Sequence, residues 1–177
     1  MRATALARRA RPGLTPTAAS GLCLAALIAS AALATLIALA GAASHTNPHD
    51  SIDDSPGAVA ALFAHNAGVA WIPLGLAALG WDRARGLRLT GDAIVLASLI
   101  ANGGVVGYAL ARVGPELAAY LPHLPVEWTA IALPAGAWLC LRRGYSNRRA
   151  LLLQTLGVSA CTLLLAALLE IYAVPLG

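Results

Sequence analysis

Five long apolar runs, each near the roughly 20 residues a helix needs to cross a bilayer, dominate this chain and leave it little choice of solvent. They cover about residues 18–43, 57–80, 93–113, 122–141 and 150–172. The segments between them, 44–56, 81–92, 114–121 and 142–149, are polar and several carry Gly or Pro, the usual helix punctuation. Composition agrees. Of the 177 residues, 59% are hydrophobic and 11% charged, whereas a soluble domain carries about 25% charged residues to cover its water-facing surface. The expected fold is all-α: a polytopic transmembrane helical bundle of about five spans. A short Arg-rich tail, residues 1–17, is expected to precede a single membrane domain, 18–177.

Every one of the 12 basic residues is arginine, and their placement sets the expected threading. Arg2, Arg8, Arg9 and Arg11 precede the first run, Arg83, Arg85 and Arg88 lie between the second and third, and Arg142, Arg143, Arg148 and Arg149 between the fourth and fifth. The alternate connections hold only Arg112, with Asp50, Asp53, Asp54 and Glu116. Positive charge is retained in the cytoplasm during insertion, so the N-terminus is expected inside and the C-terminus outside. Trp81 and Trp138 are expected at the inner interface, and Tyr108, Tyr120 and Tyr172 at the outer one. An Arg-rich start, an apolar run and Ala40-Gly41-Ala42 also suit a cleavable signal peptide. The run exceeds the 7–15 residues of such a region, however, which favours a retained anchor.

The basic balance gives no reason to expect nucleic acid as a partner, because the arginines form short blocks beside apolar runs and no extended phosphate-binding patch. Cys23, Cys140 and Cys161 lie in or beside apolar runs with no Cys-x-x-Cys pair, and read as small apolar filler. His45, His49, Asp50, Asp53 and Asp54 match no zinc or calcium spacing and read as a solvated acidic loop. No metal ligand or cofactor is assigned.

The informative residues are those that lipid rejects: His65 and Asn66 in the second run, Asn102 in the third, His123 and Glu127 in the fourth. At 1.5 Å per residue, Asn66 comes out about 13 Å and Asn102 about 15 Å below the outer end of their spans. His123 and Glu127 lie in the first turns of theirs, four apart on one helix face. All five fall in the outer half, and interhelical hydrogen bonds that fix the packing are the first expectation, ahead of a substrate, ion or proton path. Catalysis comes last, because neither a His-Glu-x-x-His nor a Gly-x-Ser-x-Gly motif is present. Glu170 reads as interfacial.

Pro73 and Pro134 are expected to kink the second and fourth spans. Pro122 and Pro125 bracket His123 and suggest a bent or partly re-entrant start to the fourth. Gly103 and Gly107 make a Gly-x-x-x-Gly spacing suited to close helix packing, and with Asn102 they suggest that the third span is the centre of the bundle.

Three segments in order, 65-HNAGVAWIPLGLAALG-80, 102-NGGVVG-107 and 122-PHLPVEWTAIALPAGAWL-139, resemble the stage II sporulation protein M family of multi-pass bacterial membrane proteins. That family shows an Asn-containing span rich in small residues, an Asn-Gly span and a Pro-His-Gly-x-x-Glu segment. Asn66, Asn102, Gly103, Pro122, His123 and Glu127 fall on those positions, while Leu124 replaces the glycine and Trp128 an aliphatic residue. The family's namesake belongs to a membrane complex that localises peptidoglycan-degrading enzymes. The resemblance therefore implies a non-enzymatic scaffold or complex subunit in the bacterial cell membrane, with the lipid bilayer and other membrane or envelope proteins as partners and homo-oligomerisation open. The alternative is a permease-like transport subunit with the polar set lining an outward-facing cavity. The chain lacks a Gly-x-x-x-x-Gly-Lys nucleotide loop, so a partner would have to supply the energy.

Overall fold

The computed structural model describes residues 14–40, 55–113 and 122–172. Among them there are six helices and no strands: α1 (Pro16–Ala40), α2 (Pro56–Ala70), α3 (Ile72–Ala78), α4 (Leu87–Val113), α5 (Leu124–Arg142) and α6 (Arg148–Tyr172). Four are long and apolar enough to cross a membrane, and the bent pair α2–α3 makes a fifth. This is a multi-pass membrane architecture. The arginine tail, the acidic loop with its two histidines, Glu116 and Tyr120 lie outside the described residues.

Helix starts follow local chemistry. Thr15 Oγ1 accepts from the Ala18 amide at 3.2 Å and Ser55 Oγ from Ala58 at 3.2 Å, each with a proline next in sequence. A hydroxyl cap satisfies an amide that the helix leaves orphaned, and proline has none to orphan. Helix ends use Gly80 and Gly144, whose φ values of 79° and 84° lie in the left-handed region that glycine enters without strain. The third span begins earlier than expected, because α4 absorbs residues 87–92 of the polar connection. Its 27 residues measure about 40 Å, enough to carry Asp92 beyond the hydrocarbon.

Packing corrects the expected centre. α5, not the third span, is the core helix: Ala130, Ile131, Ala132, Ala135, Ala137 and Trp138 on it are all buried. α1, α3 and α6 close around it, while α4 lies mainly against α1. Gly103 and Gly107 therefore serve a pairwise contact. Cβ atoms there would lie 2.5 Å from the Leu27 carbonyl oxygen and 2.1 Å from that of Ala31, so the two backbones touch. Thr35 Oγ1 adds a bond across the same seam to the Gly107 carbonyl at 3.0 Å.

The two mid-span prolines behave differently. α2 and α3 meet at Trp71 with a 52° bend, as a proline at the start of α3 requires. α5 continues as one helix, Leu124–Arg142, through Pro134. The reason is a neighbouring side chain. Pro134 has no amide to give the Ala130 carbonyl, and Ser159 Oγ of α6 donates to that oxygen at 2.9 Å. Ser159 in turn accepts from Trp71 Nε1 at 3.2 Å. One buried hydroxyl thus joins α5, α6 and the α2–α3 elbow. Ser159→Ala leaves both a carbonyl and an indole N–H without partners. The expected loss is about 1–2 kcal/mol, readable as a lowered thermal midpoint in detergent, with Ser146→Ala in an exposed turn unchanged.

Candidate functional site

The helices alternate so that the arginine-bearing connections share one end of the bundle. There Arg142 of α5 binds Asp92 of α4 through both Nε and Nη2, and Trp138 Nε1 donates to the same carboxylate at 2.9 Å. Trp138 thus lies at the arginine-bearing end, buried in the bundle with its N–H held by Asp92. Arg148 Nη1 pairs with the buried Asp82 at 2.5 Å, and its other nitrogen caps the Ala77 carbonyl at the end of α3. Neither aspartate was singled out by sequence. The available signal was opposite charge at matching ends of antiparallel spans.

The polar set gathers toward the opposite end. α2 packs on α6 and α5 and stands away from α4, which opens a groove of about 660 Å³ between them. His65 and Asn66 line it from α2, Asn102 and Ser98 from α4, Glu127 and Trp128 from α5. Four of the five expected residues thus share one groove, and the fifth, His123, adjoins it through Glu127. Asn102 does not bridge helices as expected: its amide donates to the Ser98 carbonyl one turn back, at 2.8 Å. Among the described residues the Asn66 side chain has no hydrogen-bond partner. Interhelical polar bonding is carried elsewhere, by Ser159, Thr35, Asp82 and Asp92.

His123 caps the start of α5 with helical backbone angles, φ −77° and ψ −23°, and Pro125 follows in the first turn. The segment from Pro122 is an ordinary helix start, and the re-entrant geometry suggested by its two prolines is absent from the described residues. His123 Nε2 lies 3.9 Å from Glu127 and 3.7 Å from Glu170, which stands in the last turn of α6. Glu170 is the residue that sequence spacing could not bring here, since 47 positions separate it from His123 and only the antiparallel packing of α5 and α6 joins them. Tyr108 is exposed, with the Arg112 guanidinium 5.4 Å above its ring.

No family model, curated protein or solved structure matches this chain.

Proposed function

We propose that this chain is a non-enzymatic subunit of a bacterial plasma-membrane complex, of the stage II sporulation protein M type, that holds a partner's transmembrane helix in the groove between α2 and α4. One observation carries the reading. The groove runs along α2 from His65 to Ile72 and along α4 from Ile94 to Val106, within two apolar spans, yet Asn66, Asn102 and Glu127 line it. Hydrocarbon offers these groups no hydrogen bonds, and a helix bearing its own polar or small residues does. The floor suits such a guest: Ala97, Ala101 and Val105 are exposed and small, so a backbone can approach closely. A groove that follows two helices for several turns also fits a helix better than a small solute, which favours the scaffold over the permease-like alternative. The arginine-rich end faces the cytoplasm in this reading, which puts the polar part of the groove in the outer half of the bilayer.

A photo-crosslinking residue at Ala101, in cells, should give one discrete adduct with another membrane protein. The same residue at Leu153, exposed on α6 and outside the groove, should give none. Asn102→Leu should abolish the Ala101 adduct without lowering the amount of folded protein. Equal smears at both positions, or an adduct made only of two copies of this chain, would refute the proposed occupant.

A further inference from the structure

We propose that His123, Glu127 and Glu170 form a binding site for one divalent transition-metal ion, zinc in its chemical class, at the arginine-poor end of the bundle. His Nε2 and one oxygen from each carboxylate lie within 4.8 Å of one another. Ligands bound to zinc at about 2.0–2.2 Å sit roughly 3.0–3.6 Å apart. The observed separations of 3.7 and 3.9 Å from the histidine need only small side-chain rotations to close on an ion. They are too long for hydrogen bonds, so the imidazole does not satisfy either carboxylate directly.

Three further features support the site. The three side chains come from fixed helical positions at the start of α5 and the end of α6, elements already packed together. His123 Nδ1 is turned into the protein and has no partner among the described residues, which leaves Nε2 as the nitrogen on offer. Charge balance also asks for a cation. Arg142 and Arg148 are held by Asp92 and Asp82 at the other end, and Arg112 lies over Tyr108, while two carboxylates converge here on a single histidine.

The mixed nitrogen and carboxylate set selects the ion. Magnesium and calcium prefer all-oxygen sites, whereas imidazole suits zinc and its neighbours. Glu170 is about one third exposed, 36%, so its carboxylate is reachable from outside the bundle. Bound there, it would clamp α6 to α5 and leave a fourth position open.

The site shares Glu127 with the groove, whereas His123 and Glu170 lie outside the groove lining, so changes at those two test the metal apart from the partner helix. Full-length protein in detergent, equilibrated with zinc chloride and desalted, should retain one zinc per chain by metal analysis. Titration should show zinc held at least about tenfold more weakly by Glu170→Gln and by His123→Asn, the lower bound for disturbing even an indirect partner of a ligand. Zinc should also raise the thermal midpoint of the parent and not of either variant, while calcium raises neither. A chain with His45→Ala and His49→Ala should retain the metal. Absence of stoichiometric zinc in the parent, undiminished binding in the folded Glu170→Gln chain, or loss of zinc only in the His45/His49 variant would each overturn the site. Unchanged Ala101 crosslinking in Glu170→Gln would keep the two proposals distinguishable.

Discussion

Gly107→Ala is expected to lower the stability of the folded bundle by about 3 kcal/mol, the upper end of the range for forcing an extra carbon into a well-packed interface. The added Cβ would lie 2.1 Å from the Ala31 carbonyl oxygen, 2.8 Å from its carbonyl carbon and 2.9 Å from the Ala34 Cβ. Two of those three atoms are backbone, so relief requires α1 and α4 to move apart. That movement also breaks the Thr35 bond to the Gly107 carbonyl. The next residues supply an internal control. Gly104 faces open space, and alanine there meets nothing within 4 Å. Gly104→Ala is expected to be neutral or slightly stabilising, because alanine exceeds glycine in helix propensity by up to about 1 kcal/mol. Thermal unfolding in one detergent, followed by tryptophan fluorescence, separates the two. Similar midpoints for both variants would mean that the α1–α4 seam is not the close contact described.

Asp82→Ala is expected to cost about 3 kcal/mol or more, as breaking a buried pair by removing one partner does. Asp82 is 4% exposed, and its Oδ1 has no partner among the described residues, so the Arg148 bridge through Oδ2 is what compensates the buried charge. Removing the aspartate strands a guanidinium that also holds the end of α3 through Ala77. The double variant Asp82→Ala/Arg148→Ala should lose less than the sum of the singles, since neither charge is then left unpaired. Arg85→Ala, exposed and outside the pair, should stay within about 0.5 kcal/mol. Strict additivity in the double variant would remove the pair from the account.

How much of this was legible in the sequence varied with range. Span number and position were legible because hydrophobicity in a bilayer is a local property: a run such as 150–172 declares itself without knowledge of its neighbours, and α6 covers Arg148–Tyr172. That His65, Asn66, Asn102 and Glu127 lie toward one end was legible from their positions in antiparallel spans; that they line one groove depends on how the helices pack. Which helix faces which was not legible. Gly103 and Gly107 announce a close contact but not its partner, so the third span looked central when its glycines in fact serve α1 alone. Pro134 signals a missing helix bond because proline removes an amide. That Ser159, 25 positions later, replaces the missing donor depends on the register between α5 and α6. The place of Trp138 near the arginine-bearing end was legible, while its bond to Asp92 of another helix was not. Glu170 was assigned to the interface for the same reason: depth could be counted, while its azimuth toward His123 could not.

The account rests on the direction of threading, and cysteine accessibility in intact cells tests it most directly. Ser146→Cys, in the connection between α5 and α6, should react with a membrane-impermeant maleimide only after the cells are permeabilised. Ser51→Cys, in the connection after the first span, should react without permeabilisation. Labelling of both positions under the same condition would contradict the alternating passage of the chain and the proposed place of the polar groove in the outer half of the bilayer.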